Sequence, residues 1–197
     1  MKTFRDRGLD RHLEALFRPM RETLNILMLE KLKSHIHGFT LNVGCGHHNT
    51  GEIRLDILPN PTVNVVGDAR KLPFPSNVFD TVLALSFLHH VPDYWNAVRE
   101  IMRVLKCGGK VVGWEPNIYH PYLITFTNFL GLSNEKPLNP RKLLNVYRRN
   151  RGRILVENYF FAARCVFNLI RKWQLLRWDR WIPSMVRGYV VYVAEKT

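Results

Sequence analysis

The sequence predicts an α/β fold built on a mostly parallel sheet, and three observations carry that prediction. The first is Leu41-Asn42-Val43-Gly44-Cys45-Gly46, a short apolar run that stops in two glycines one residue apart. Buried parallel strands read as such runs, and glycine takes positive φ without strain where the chain must turn sharply. The second is that further short apolar runs follow, punctuated by Gly, Pro, Asn and Asp, with a helical pattern between two of them. The third is a pair of carboxylates, Asp56 and Asp68, closing the second and third runs. Strands alternating with helices or crossover loops form parallel sheets whose ligands bind beyond the carboxyl ends of the strands.

Taken in order, the stretch Leu9 to His37 carries Leu13, Leu16, Phe17, Met20, Leu24, Leu27, Met28, Leu32 and Ile36 at helical spacing. It predicts two helices bent near Pro19, because proline inside a helical pattern breaks or kinks it. We read them as packing against the sheet in preference to forming a substrate lid. After Gly38 the expected strands are Phe39–Val43, Glu52–Ile57, Thr62–Val66, Phe79–Leu85 and Lys110–Glu115. Tyr94–Leu105 places Ala97, Val98, Ile101, Met102 and Leu105 on one face, which predicts an amphipathic helix ending at Gly108-Gly109.

Beyond Trp114-Glu115-Pro116-Asn117, Tyr119–Leu130 and Pro140–Asn150 read as helices, Ile154–Phe161 as a sixth strand and Arg187–Glu195 as a terminal one. Between the last two, Ala162–Met185 interleaves Phe167, Trp173, Trp178 and Trp181 with Arg164, Arg171, Lys172, Arg177 and Arg180. The length of 197 residues suits one domain. It divides into N-terminal helices (1–38), a ligand-binding core (39–117) and a region of acceptor-side segments and last strands (118–197).

A hydrophobic fraction of 46% argues for a folded chain and against disorder. The net charge of +13 is uneven: thirteen Lys and Arg stand against three acidic residues from Arg141 to Thr197. Such a field attracts phosphates of nucleic acid, anionic lipid or a phosphorylated small molecule, and equally describes a solvated basic surface. No apolar run reaches the roughly 18 residues that span a bilayer, and the first residues lack the apolar segment of a signal peptide. The expected location is cytoplasmic, with membrane association as an extension of it. Cys45, Cys107 and Cys165 are odd in number and form no CxxC pair, which indicates neither a disulfide framework nor a zinc site.

The glycine turn followed by Asp56 suits a nucleoside: the carboxylate accepts from both ribose hydroxyls while the turn presents backbone donors. A dinucleotide would require Gly-x-Gly-x-x-Gly, and the sixth position here is Asn49. After the third run, Gly67-Asp68-Ala69 leads through Leu72-Pro73-Phe74 into the fourth.

Four ordered motifs, Asn42-Val43-Gly44-Cys45-Gly46, Gly67-Asp68-Ala69 with Leu72-Pro73-Phe74, Leu88-His89-His90-Val91, and Arg103-Val104-Leu105-Lys106-Cys107-Gly108-Gly109, carry a resemblance. From Leu41 to Asn117 the chain resembles the class I S-adenosylmethionine-dependent methyltransferases, of the small-molecule and quinone-biosynthesis group. The resemblance implies a Rossmann-like, mostly parallel seven-stranded sheet with helices on both faces and an antiparallel terminal strand. It implies S-adenosylmethionine as cofactor and S-adenosylhomocysteine as product.

The roles implied are these. Gly44 and Gly46, with Asn42 and Cys45 in the same motif, pass beneath the methionine moiety; Asp56, followed by Ile57, binds the ribose. Asp68 and Ala69 hold the adenine edge, and Leu72 and Phe74 flank it. Ser86 and Phe87 line the cleft where methyl meets acceptor, and His89 or His90 faces the acceptor. The Arg103–Gly109 motif is a structural helix end. The chain departs from the family in Asn42, where Asp or Glu is common, in His48, where a third glycine is common, and in the short connection His47–Arg54, where a full helix is usual.

Methyl transfer from a sulfonium is an in-line displacement, so the protein has chiefly to align the nucleophile and exclude water. A base is needed only for a hydroxyl or a protonated amine, and His89, His90 and His120 are the candidates; plain packing is the competing reading for each. Adjacent histidines point in different directions, so one of His89 and His90 is expected at the cleft. The pairs His47-His48 and His89-His90 lack carboxylates at ligand spacing, and no metal is assigned. The aromatic, basic segments suit a small or lipid-like acceptor and peripheral contact with an anionic membrane. Nucleic acid is the less favoured partner, because no Asn-Pro-Pro-Tyr-type motif follows the fourth strand. An RNA methyltransferase and a non-catalytic binding module are the alternatives, and the oligomeric state is left open.

Overall fold

A computed structural model describes residues 25, 26, 28–120, 136–160 and 188–197, with the side chains of Tyr159 and Phe160 excepted. The expectations for the helices before residue 25, for most of Tyr119–Leu130 and for Ala162–Met185 lie outside the described residues.

Seven strands form one sheet: β1 (Thr40–Val43), β2 (Ile53–Asp56), β3 (Val65–Val66), β4 (Phe79–Leu85), β5 (Leu105–Pro116), β6 (Gly152–Phe160) and β7 (Tyr189–Lys196). Their order is β3-β2-β1-β4-β5-β7-β6. The first five run parallel, and β7 lies antiparallel to both β5 and β6. Strand β1 is buried along its whole length, as an apolar central strand must be.

Helices cover both faces. The helical stretch through residues 25, 26 and 28–32 (α1) buries Met28 and Leu32 against Leu83, Leu85, Val112 and Trp114. On the opposite face, α2 (Tyr94–Val104) contributes Ala97, Val98, Ile101 and Met102, and α3 (Pro140–Arg149) contributes Leu143, Leu144 and Tyr147. Helix α3 starts at an Asn-Pro pair: the Asn139 side chain accepts the Lys142 N–H at 3.1 Å, and Pro140 occupies the first turn, where no N–H is missed.

Two expectations are corrected. Helix α2 does not end on Gly108-Gly109; Leu105 is already extended, and β5 starts there and runs through both glycines. The terminal carbonyls of Arg103 and Leu105 accept from Lys196 Nζ at 3.3 and 2.7 Å, so a lysine from β7 caps the helix in place of glycine. The glycines serve a bulge instead, where the register jumps from Phe79↔Leu105 to Thr81↔Lys110. A side chain on Gly109 would meet the Asp80 carbonyl at 3.0 Å. Also, α1 gives way by Lys33 to a single 3-10 turn, Lys33–His35, so the helical spacing read to His37 overruns its end.

Residues 44–52, between the parallel neighbours β1 and β2, contain no helix. Side chains on one face of these strands hold the connection. Asn42 donates to the Thr50 carbonyl at 3.0 Å, Arg54 donates to the carbonyls of Gly51 at 2.9 Å and Thr62 at 2.6 Å, and Glu52 accepts the Thr40 N–H at 2.9 Å. Asn42 and Arg54 thus satisfy the Thr50 and Gly51 carbonyls of the connection, while Glu52 and Arg54 also tie it to β1 and to the loop after β2.

Candidate functional site

The carboxyl ends of β1, β2, β4 and β5 border an open cleft of about 1210 Å³. Gly44 and Gly46 both take left-handed backbone, φ +65° and +50°. They are glycines for different reasons. A side chain on Gly44 would meet the Phe87 ring at 2.4 Å, whereas one on Gly46 would meet nothing within 4 Å. At Gly44 the protein itself fills the space, and at Gly46 the space is open to the cleft.

The Gly46 peptide is held at both ends. Its N–H donates to Asp56 Oδ2 at 2.8 Å; its carbonyl accepts from Thr62 Oγ1 at 2.7 Å and from Asn60 Nδ2 at 3.0 Å. Asp56 Oδ1 accepts the Leu58 N–H at 3.0 Å, which fixes the carboxylate plane. Beside it Ile57 and Leu58 are exposed, 62% and 69%, an apolar shelf at the cleft. Asp68 pairs with Arg70 at 2.7 Å, and that hydrogen-bonded guanidinium holds its carboxyl below the usual carboxylate range.

Past β4 the chain turns through Ser86, whose φ of +56° is unusual for a residue with a side chain, into a 3-10 turn Leu88–His90. Three backbone N–H groups of this turn, from Phe87, Leu88 and His89, converge on the carboxylate of Glu115 at 3.1, 2.9 and 3.4 Å. His89 Nδ1 joins them at 2.7 Å from Glu115 Oε2. Both residues are buried, and a carboxylate is tolerated there because several donors surround it. His89 lines the cleft, and among the described residues its Nε2 is buried without a hydrogen-bond partner; Trp114 Nε1, of another residue of the cleft, is the same.

Of the residues expected from sequence, Gly44, Cys45, Gly46, Asp56, Ile57, Asp68, Ala69, Ser86, Phe87, His89 and His90 line this cleft. Both histidines do so, contrary to the expectation of one. Their rings lie 3.8 Å apart, because a tight 3-10 turn does not send successive side chains to opposite faces as a strand does. Asn42 and Leu72 are not among the lining residues. Asn42 lies wholly buried beneath the loop. Leu72 is in the core, where its N–H donates to Glu100 and its carbonyl accepts from Arg103. Phe74 packs edge-on against Phe79. His120 is buried away from the cleft, and desolvation lowers its pKa. Among the described residues no three His, Cys, Asp or Glu gather as a metal site.

Sequence reasoning missed Glu115, Trp114 and Tyr189; Asn25, Ile26 and Leu29 of α1 also line the cleft. Asn25 Nδ2 reaches His48 Nε2 at 3.4 Å across the glycine loop. So α1 both packs on the sheet and borders the site. The signal available for Glu115 was a lone acid ending an apolar strand whose neighbour ends in two histidines.

A family model described as a methyltransferase domain matches residues 52–113. The chain is 48% identical over 62 residues to the demethylmenaquinone methyltransferase of Anoxybacillus flavithermus (strain DSM 21510 / WK1), covering 32% of this chain and 25% of that protein. It is 50% identical over 44 residues to the 27-O-demethylrifamycin SV methyltransferase of Amycolatopsis mediterranei (strain S699), covering 22% of this chain and 16% of that one. The matched stretch is thus a quarter or less of these relatives' own length. A solved S-adenosylmethionine-dependent methyltransferase from Thermotoga maritima, titled a possible histamine N-methyltransferase, superposes with a TM-score of 0.69 over 98% of this chain and 97% of its own, at 16% identity.

Over residues 52–113 the chain matches the methyltransferase domain family, and its fold is that of a solved S-adenosylmethionine-dependent methyltransferase. Its sheet order and antiparallel β7 are the fold that the resemblance implied. The cofactor that the resemblance and the matched domain imply is S-adenosylmethionine, and the residues present fit it: Gly46 leaves open space beneath the cleft, and Asp56 and the Ile57-Leu58 shelf stand beside it. The absence of a helix in residues 44–52 is a departure from the pattern that the resemblance implied. The motif from Arg103 is structural here as expected: Arg103 donates to the carbonyls of Leu72 and Phe74, holding the loop after β3.

Proposed function

We propose that this chain transfers the methyl group of S-adenosylmethionine to a small or lipid-like acceptor in the cleft beyond β4 and β5. The observation that carries the reading is the pinned Gly46 peptide: open above, tied to Asp56 at 2.8 Å, and flanked by exposed Ile57 and Leu58. A carboxylate with both oxygens oriented by N–H donors keeps lone pairs for two ribose hydroxyls, and an apolar shelf beside it suits a purine face. Asp68 and the backbone of Ala69, which line the same cleft, would hold the adenine edge.

Bound there, the cofactor supplies a methyl on a sulfonium, leaving as the neutral thioether of S-adenosylhomocysteine. The chain's own contribution is alignment and exclusion of water. Phe87 closes the floor over Gly44, α1 borders the cleft through Asn25, Ile26 and Leu29, and Trp114 and Tyr189 add aromatic wall. These walls favour an apolar, ring-bearing acceptor, and the names of both curated relatives point to small demethylated acceptors.

Calorimetry with S-adenosylmethionine and S-adenosylhomocysteine tests the reading. Micromolar binding of both, with methyl transfer from labelled cofactor to a panel of small acceptors, is the expected result. No heat with either cofactor overturns it. Binding without turnover on any acceptor selects the non-catalytic module.

A further inference from the structure

Resting on the reading above, we propose that the side chains of His48 and Asn25 together hold the carboxylate of the cofactor's amino-acid end, a contact that a third glycine at position 48 could not make. The backbone sets the first half of this grip. The His48 N–H donates to the Cys45 carbonyl at 2.8 Å, closing a four-residue turn whose second residue is Gly46. The Gly46 peptide in that turn is tied to Asp56, Asn60 and Thr62, so the point from which the His48 side chain leaves is fixed. His48 is half-buried and lines the cleft.

Its partner comes from the other side. Helix α1 is anchored on β4 and β5 through Met28 and Leu32, and three residues before Met28 it brings Asn25, also half-buried, to the cleft wall. There Asn25 Nδ2 lies 3.4 Å from His48 Nε2. That is long for a hydrogen bond, whereas an N–H donating to a carboxylate approaches to about 2.7–2.9 Å and binds roughly twice as strongly as a neutral pair. Asn25 and His48 would therefore exchange one weak contact for charge-assisted bonds from the amide and the imidazole.

Strand order decides which end of the cofactor meets them. Asp68 follows β3 and Asp56 ends β2, so an adenine and ribose held there leave the amino-acid end over β1 and β4, the side on which α1 packs. The adenine side has a cation of its own: among the described residues of the cleft wall Arg70 alone is an Arg or Lys, and it pairs with Asp68 at 2.7 Å. At the far end the donors offered to a carboxylate are those of Asn25 and His48. The connection of residues 44–52, which contains no helix, makes this possible by folding back in a tight turn directly after Gly44.

Calorimetry on the full chain with three ligands tests the proposal: S-adenosylhomocysteine, its decarboxylated analogue, which keeps the ammonium, and methylthioadenosine, which lacks the amino-acid end. The wild type should bind S-adenosylhomocysteine at least about tenfold more tightly than the decarboxylated analogue, as expected for hydrogen bonds to a charged group. His48→Ala and Asn25→Ala should each weaken S-adenosylhomocysteine about tenfold. Both variants should bind the two ligands without a carboxylate as the wild type does, and their retained methylthioadenosine binding reports a folded site. Equal wild-type affinities for S-adenosylhomocysteine and the decarboxylated analogue overturn the proposal while the cofactor reading stands. So does an unchanged S-adenosylhomocysteine affinity in the variants, or an equal loss on S-adenosylhomocysteine and methylthioadenosine. No binding of any of the three by the wild type overturns both.

Discussion

Gly46 and Asp56, ten residues apart in the chain, are joined by a 2.8 Å hydrogen bond from the Gly46 N–H to Asp56 Oδ2. The bond ties the end of β2 to the turn after β1, so one carboxylate orders the loop and also faces the cleft. Asp56→Ala should weaken S-adenosylmethionine binding by about 2 kcal/mol, roughly thirty-fold, since hydrogen bonds to a charged group are worth about 1.5–3 kcal/mol. Calorimetric affinities of the two proteins check this.

The two glycines of the turn should separate stability from binding. Gly44→Ala drives a methyl into the Phe87 ring and should cost about 3 kcal/mol, combining overpacking with left-handed strain. Gly46→Ala meets no atom within 4 Å and should cost only about 1 kcal/mol for its φ, while placing a methyl in the cleft and reducing cofactor affinity. Thermal unfolding and calorimetry of both variants are the measurements. Adding Phe87→Ala should recover part of the Gly44→Ala loss and none of the Gly46→Ala loss.

Arg54 stands in for the absent helix by holding the Gly51 and Thr62 carbonyls. Arg54→Met keeps most of the stem and removes the donors, leaving part-buried carbonyls to find water. Amide exchange at residues 46–51 should accelerate at least tenfold while exchange in β4 and β5 is unchanged. Uniform acceleration across the sheet would show that the effect is global unfolding.

The loop after β3 should carry a pH signature. The hydrogen-bonded Arg103 guanidinium, with the Leu72 N–H, holds the Glu100 carboxyl below the usual range. A carboxylate with a depressed folded pKa contributes stability that is fully present above its unfolded value of about 4.3 and is lost as pH falls through the folded value. Urea midpoints of the wild type should therefore fall below about pH 4, and Glu100→Gln should flatten that part of the profile. At pH 7 the variant should be the less stable protein.

Much of the architecture is readable in the amino-acid order because it rests on local periodicity. Phe79–Leu85 and the strand around Tyr189, Val191 and Val193 are apolar runs buried on both faces, and Tyr94 as a helix start follows from the single face that α2 buries. The glycine turn and the carboxylates after β2 and β3 are legible too, since positive φ and a carboxylate at a strand end are local demands. Residue pairings across the sheet are not local. Glu115 meets His89 only because β4 and β5 are neighbours, Phe87 fills Gly44 only because β1 lies on the other side of β4, and Leu72 is drawn into the core by Glu100 and Arg103 on α2. Strand order decides which ends stand side by side, and the pattern of apolar residues along a single strand records which face it buries without recording which strand it will lie beside.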